Sequence, residues 1–167
     1  KLLKFLQDKD IRKGEYLRGE IIQRIHLKNG SVATFKSYEQ GRNKFQGAAK
    51  KLIWFDEEPP HEIWTESVVR HESGVPLDII FTLTPVNGMT WIYDDVYQQA
   101  EAKGIVIKTP SWDDNPTLTF EQKEQMARLL SQEELEVRRH GRFVRKVGLV
   151  CPWWRRDIHI QDLSNFV

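Results

Sequence analysis

Three successive carboxylates, Asp56, Glu57 and Glu58, follow directly on the apolar run of residues 52–55 and stop at Pro59. An unbroken apolar run is typical of a strand that is covered on both faces, as in a parallel α/β sheet. Open α/β sheets bind ligands at the carboxyl ends of their strands, where these acids fall. Adjacent acids there suit nucleotide hydrolysis, because one can hold magnesium against the phosphates and the next can orient or deprotonate the attacking water. A strand that merely ends in a solvated acidic turn explains the same residues.

The chain beyond the acids predicts the alternation of helices and strands that would position them. Prolines suit the first turn of a helix, and apolar spacing and turn residues mark the later elements. The predicted elements are a helix from Pro60 to about residue 74, a strand over 78–85, a helix over 89–103 and a strand over 104–109. This order indicates an α/β fold with a mainly parallel sheet.

Turn and capping signals predict the remaining elements. Two β-rich runs, residues 21–27 and 31–36, flank Asn29-Gly30, a combination that strongly favours a β-hairpin. Two capping boxes, Thr119-x-x-Gln122 and Ser131-x-x-Glu134, each open a short helix. Two short helices after a sheet predict a small helical subdomain.

Composition allows one domain with a proper core and excludes some classes of site. The 167 residues are 40% apolar and 29% charged, and no apolar run approaches the length of a membrane span. Cys151 is the single cysteine, which excludes an internal disulfide and a cysteine-based zinc site.

Charge is unevenly distributed along the chain. Residues 1–50 carry 12 Lys and Arg against 5 Asp and Glu, residues 51–137 carry 6 against 17, and residues 138–167 carry 7 against 2. Basic flanks of this kind can contact a phosphate backbone, or they can pair with the acidic middle of the chain.

A loop between two glycines precedes the acidic strand. Gly41 and Gly47 enclose Arg42 and Lys44, and such a loop can approach phosphates. Its spacing is not that of a phosphate-binding Walker A loop, and Gly-x-x-x-x-Gly-Lys-[Ser/Thr] occurs nowhere in the sequence. This absence weighs against complete ATPase function in residues 1–167. The start at Lys1, with no initiator methionine, leads us to expect a piece of a longer protein.

The acidic strand end resembles the Walker B element of P-loop ATPases. A second string, Thr82-Leu83-Thr84-Pro85, follows it, with Gly88 and Tyr93-Asp94 behind. Further segments of note are Asn29-Gly30-Ser31, Phe45-Gln46-Gly47, residues 52–58, Asp114-Asn115-Pro116 and residues 139–143. Together these segments resemble the large terminase subunit of tailed bacteriophages, and the Thr82 string looks like the coupling motif of that family.

The resemblance implies roles for individual residues. Asp56 would hold Mg²⁺ through water and Glu57 would be the catalytic base, with ATP and Mg²⁺ as cofactors. Thr82 and Thr84 would couple hydrolysis to movement. The family also uses an arginine from a neighbouring subunit, for which the candidates are Arg12, Arg18, Arg42 and Arg70.

The resemblance also implies an architecture and a setting. Residues 1–110 would be the second part of a P-loop NTPase domain of the ASCE or RecA-like type. Residues 111–141 would be a helical linker subdomain, and residues 142–167 would begin a linker to a nuclease domain. Implied partners are double-stranded DNA, the portal protein, the small terminase subunit and copies of the chain in a ring. The implied location is the host cytoplasm, docked on the procapsid portal.

Two other interpretations remain open at this stage. The acids can belong to the Walker B half of another P-loop motor, such as a helicase. Alternatively, the chain can be a non-catalytic module that binds DNA or a portal through its basic flanks.

Overall fold

The computed structural model describes residues 11–17, 21–47, 49–70 and 73–145, with side chains described from residue 23 onward. The chain divides into two compact units, of which the first ends at Phe81 and the second begins at Thr82. The functional boundaries expected near residues 110 and 141 stay a prediction. The expectations for the tail from residue 146 onward, Cys151 included, lie outside the described residues.

An antiparallel sheet of three strands opens the first unit. Its strands, in the order β1-β2-β3, are β1 (Ile11–Leu17), β2 (Ile21–Leu27) and β3 (Val32–Thr34). The predicted hairpin is confirmed. At its turn the Leu27 N–H donates to the Ser31 carbonyl at 2.8 Å, and Gly30 has a φ of 88° that glycine adopts without strain.

Strand β1 was not predicted from the sequence. Residues 11–17 contain Gly14 and several charged residues and show no regular alternation of apolar and polar side chains. The pairing of β1 with β2 is also irregular, with register shifts between Ile11 and Lys13 and between Glu15 and Tyr16. A strand that is irregular in this way is held by its neighbour more than by its own propensity.

A strand–helix–strand unit carries the acids. It consists of β4 (Leu52–Asp56), α1 (His61–Val68) and β5 (Asp78–Thr82). The two strands form a small parallel sheet, and the Asp78 N–H donates to the Lys51 carbonyl at 2.9 Å where both strands begin. This part of the predicted α/β fold is confirmed.

The core of this unit is aromatic. Phe55 and Ile63 are buried, and the rings of Phe55 and Phe81 stack with their centroids 5.1 Å apart. Trp64 of α1 packs on both rings at 5.8 and 5.3 Å. Burial of these side chains fixes α1 against one face of the strand pair.

The prediction that β4 is covered on both faces is wrong for the described structure. Ile53 and Phe55 point inward, whereas Leu52 and Trp54 retain 54% and 49% of their exposure. The side chains of β5 also alternate between exposed and partly buried, and that of Ile80 is exposed. A continuous apolar run does not reveal how many faces are covered, because side chains alternate in any strand.

The described elements of the second unit are helices and helical turns. The unit contains a π-helical turn at Tyr93–Tyr97, a 3-10 turn at Trp112–Asp114, α2 (Phe120–Arg128) and α3 (Gln132–Arg138). Both capping boxes are confirmed, with Thr119 and Ser131 as N-caps that accept from the backbone N–H of Gln122 and Glu134.

Two predictions for residues 89–109 need correction. The helix expected over 89–103 begins at Trp91 and passes into a π-helical turn, and Met89 is exposed. Residues 104–109 form no strand, and Val106 is 81% exposed. A β-rich run becomes a strand only when a neighbouring strand accepts its backbone hydrogen bonds, and no described strand pairs with this run.

Candidate functional site

The acidic turn lies at the carboxyl end of the parallel strand β4. Asp56 is the last residue of β4, and the side chains of Asp56 and Glu57 are exposed. Glu57 has a φ of 66°. No other non-glycine residue in the described part of the chain has a positive φ. This left-handed conformation is unfavourable for a residue with a Cβ, and such outliers concentrate at functional sites.

The side chain of Tyr38 reaches this turn from an earlier segment. Its hydroxyl donates to the carbonyl oxygens of Asp56 at 3.1 Å and Glu57 at 3.2 Å. Burial, together with the nearby charges of Asp56 and Glu57, raises the pKa of Tyr38 to about 12. The phenol is therefore held in its neutral, donating form. Tyr38 was missed from the sequence, where it stands 18 residues before Asp56 with no motif to mark it.

The segment that carries Tyr38 is folded on itself. It comprises two 3-10 turns, Tyr38–Gln40 and Arg42–Phe45, joined at Gly41. The Tyr38 and Phe45 rings lie 6.3 Å apart, and the Lys36 ammonium lies 5.4 Å from the Phe45 ring centroid. Ser37 caps the first turn by accepting from the Glu39 N–H at 3.3 Å.

Arg42 and Arg70, both candidates for the arginine that contacts phosphate, meet at Glu66 of α1. Arg42 Nε donates to Glu66 Oε2 at 2.9 Å, and Arg70 Nε donates to Glu66 Oε1 at 3.2 Å, with a further bond from Arg70 Nη2 to the same oxygen. The Glu66 side chain is only 5% exposed. The bonds from Arg70 and then Arg42 lower the pKa of Glu66, so it is a buried carboxylate stabilised by two cations. Sequence reasoning missed Glu66.

The other candidate residues lie in different surroundings. Thr82 is the last residue of β5 and is exposed, and Thr84 is half-buried. Gly88, with a φ of 79°, donates its N–H to the Pro85 carbonyl at 3.1 Å, which closes a turn after β5. The coupling role of the two threonines stays a prediction. The side chains of Arg12 and Arg18 lie outside the described residues.

The donor set suits a magnesium ion better than a resident structural metal. Among the described residues, no group of three or more His, Cys, Asp or Glu side chains is arranged to hold a metal. Mg²⁺ keeps several waters and binds through one or two carboxylates together with the phosphates of a substrate. One exposed aspartate at a strand end fits that mode of binding.

Segments that are far apart in sequence also meet within the second unit. The Trp112 N–H donates to the Arg139 carbonyl at 3.0 Å, and Arg139 Nη2 lies 3.3 Å from Asp113 Oδ1. The bond from Arg139 lowers the pKa of Asp113. Gly141, at a φ of 63°, packs so closely that a Cβ there would lie 2.8 Å from Cγ2 of Thr109. The structure therefore joins two of the segments that carry the resemblance, around residues 114 and 139–143.

The fold is that of a phage large terminase. The solved structure of the large terminase from a thermophilic bacteriophage matches 93% of this chain with a TM-score of 0.68. The two sequences are 19% identical, and the match covers 39% of the chain of the thermophilic phage protein.

Sequence comparison gives the family. Residues 7–152 match the N-terminal part of the terminase large subunit, T4-like-virus type. The terminase large subunit of Salmonella phage P22 is 33% identical over 111 residues, which are 66% of this chain and 22% of that protein. The chain belongs to the terminase large subunit family, which functions in viral DNA packaging, so the predicted resemblance is confirmed. It spans less than half the length of either relative.

Proposed function

We propose that the chain is part of an ATP-hydrolysing motor that drives double-stranded viral DNA into the procapsid. The family is one of ATPases and nucleases, which supports hydrolysis as the activity of the full-length gene product. The observation that carries the proposal is the pair Asp56 and Glu57 at the carboxyl end of a parallel strand, with Glu57 in a left-handed conformation. In this proposal residues 1–110 are a partial P-loop NTPase domain.

The two acids have different tasks in this proposal. Asp56 would hold Mg²⁺ through a bound water, and the ion would neutralise charge on the phosphates of ATP. The Glu57 carboxylate orients a water and accepts its proton as the water attacks the γ-phosphate. Thr82, at the end of β5, and Thr84, two residues later, respond to the loss of that phosphate.

Arg42 is the better placed of the two arginines for contact with phosphate on a neighbouring subunit. Its side chain is 55% exposed, against 35% for Arg70, and it begins the 3-10 turn Arg42–Phe45, whereas Arg70 follows the end of α1. Arg42 has to leave Glu66 in order to contact phosphate, since its guanidinium cannot donate the same N–H groups to the carboxylate and to a phosphate at once. Arg70 would then keep the buried carboxylate paired.

We further propose that the motor assembles as a homo-oligomeric ring with double-stranded DNA, the portal protein and the small terminase subunit as partners. Its place of action is the procapsid portal in the host cytoplasm. Among the described residues, no helix has the length and apolar character to cross a membrane.

The test is ATP hydrolysis by the full-length gene product, with and without duplex DNA. Wild type is compared with Asp56→Ala and Glu57→Gln. We expect both substitutions to lower turnover by about 100-fold or more, because loss of a general base alone removes 10²–10⁴-fold. Stimulation of wild type by DNA supports a packaging motor. Equal ATP turnover in wild type and in both variants would refute the proposal. DNA binding without hydrolysis would then favour a non-catalytic module.

A further inference from the structure

The contact of Tyr38 with the acidic turn has a particular geometry. The carbonyl of Asp56 belongs to the peptide group that precedes the Glu57 Cα, and the carbonyl of Glu57 belongs to the peptide group that follows it. The relative rotation of those two groups is what the φ and ψ angles of Glu57 describe. One hydroxyl that binds both oxygens, at 3.1 and 3.2 Å, therefore restrains the backbone rotation at Glu57.

Glu57 is also the residue that needs such a restraint. Its φ of 66° is unfavourable for a residue with a Cβ, and a strained backbone persists only when surrounding contacts hold it. The direction in which the Glu57 side chain leaves the strand depends on the same two angles. A contact that holds these angles thus also sets where the carboxylate points.

Tyr38 is itself anchored independently of the acids. Its segment continues into the Arg42–Phe45 turn, where Phe45 packs on the Tyr38 ring and Arg42 bonds to Glu66. Glu66 belongs to α1, which follows the acidic turn along the chain. The turn at Glu57 thus lies between β4 and a helix that also anchors the Tyr38 segment.

We propose that Tyr38 is a positioning residue for hydrolysis, whose hydroxyl holds the backbone of Glu57 in the orientation that its carboxylate needs. This inference rests on the proposed function of Glu57 as the base. Tyr38 need not touch the nucleotide in order to act, since its effect passes through the peptide groups on either side of Glu57. Removal of the hydroxyl should therefore affect the chemical step more than nucleotide binding.

The test compares four forms of the full-length gene product: wild type, Tyr38→Phe, Glu57→Gln and Tyr97→Phe. The phenylalanine at 38 keeps the ring that packs on Phe45 and removes only the hydroxyl. Tyr97→Phe is the matched control, because it deletes the hydroxyl of an exposed tyrosine in the second unit. Each form is assayed for single-turnover ATP hydrolysis and for the KM for ATP, and amide hydrogen exchange is followed along residues 49–70.

We expect Tyr38→Phe to hydrolyse ATP roughly tenfold more slowly in a single turnover, with KM within about twofold of wild type. Amide exchange should accelerate at residues 57 and 58 and remain unchanged in β4 and α1. Tyr97→Phe should match wild type in every measurement.

The outcomes separate the inference from the function on which it rests. Equal turnover by wild type and Glu57→Gln would overturn the proposed function and this inference with it. Loss of turnover in Glu57→Gln with none in Tyr38→Phe would overturn the inference alone. Faster exchange of Tyr38→Phe throughout β4 and α1 would also overturn it, because Tyr38 would then stabilise the unit as a whole.

Discussion

Arg42 Nε lies 2.9 Å from Oε2 of Glu66. The guanidinium of the Arg42–Phe45 turn is therefore paired with a buried carboxylate of α1, the helix that follows the acidic turn. The second oxygen of Glu66 is bonded to Arg70, four residues further along the chain. A buried charge requires such partners, and the carboxylate loses its attraction for both arginines when it is protonated.

The first prediction concerns acid stability. Because its two arginines lower the pKa of Glu66 from the usual 4.5, its charged form stabilises the fold above that pH, and this contribution disappears as pH falls through the lower folded pKa. We expect Glu66→Gln to be less stable than wild type at neutral pH and the difference to shrink below pH 4.5. Hydrogen exchange of α1 and the Arg42–Phe45 turn, measured as a function of pH, tests this.

Glu62→Gln is the matched control for the acid prediction. Glu62 lies in the first turn of the same helix and is exposed. If Glu62→Gln changed the pH dependence of stability as strongly as Glu66→Gln, the burial of Glu66 between the two arginines would not be the source of that dependence.

A second prediction concerns alkaline pH. The folded pKa of Tyr38, about 12, lies above the usual value of 10.0, so the neutral phenol stabilises the fold fully below pH 10 and this contribution is lost as pH rises through 12. We expect the difference in stability between wild type and Tyr38→Phe to diminish over that interval. Chemical denaturation of both proteins between pH 8 and pH 12 measures it. A constant difference would contradict the burial of Tyr38 beside the charges of Asp56 and Glu57.

The strain at Glu57 leads to a third prediction. Glycine adopts a φ of 66° without penalty, which favours Glu57→Gly, although glycine also loses more backbone entropy on folding. We expect the free energy of unfolding of Glu57→Gly to equal that of wild type or to exceed it by up to about 1 kcal/mol. ATP hydrolysis should be lost in the same variant. Denaturation and turnover are measured on the same preparations.

The neighbouring Glu58 provides the comparison. Its φ is not positive, so Glu58→Gly gains nothing from relief of strain and should be destabilised by about 0.5–1 kcal/mol. Equal destabilisation by glycine at both positions would mean that the left-handed conformation at Glu57 contributes no strain.

The fourth prediction concerns the close contact of Gly141 with Thr109. Gly141→Ala combines a left-handed backbone with a Cβ 2.8 Å from Thr109 Cγ2, whereas Gly104→Ala has a similar φ of 64° and open space around it. We expect a loss of about 1–2 kcal/mol at Gly104 and a larger one at Gly141, measured by denaturation.

A double variant identifies the cause of that difference. Thr109→Ser removes the methyl group that the new Cβ would meet, so it should reduce the cost of Gly141→Ala toward that of Gly104→Ala. Purely additive effects of the two substitutions would mean that the loss arises from backbone strain alone.

Sequence by itself determined the features whose causes lie within a few residues. The Asn29-Gly30 hairpin, the capping boxes at Thr119 and Ser131, and the acidic end of β4 were all predicted, because a turn or a cap is decided by side chains one to three positions away.

Tertiary structure decided the features that depend on distant partners. Residues 104–109 have strand propensity but form no strand. Residues 11–17 lack a clear alternating pattern, yet they form strand β1. The reason is that a strand exists only where a neighbouring strand pairs with it. Tyr38 carries no signal of its own in the sequence, and nothing in the sequence pairs Arg42 with Glu66. The contact of Tyr38 with Glu57 spans 19 residues and that of Arg42 with Glu66 spans 24. The sequence therefore predicted the chemical groups at the acidic turn, whereas folding decided which side chains hold that turn in place.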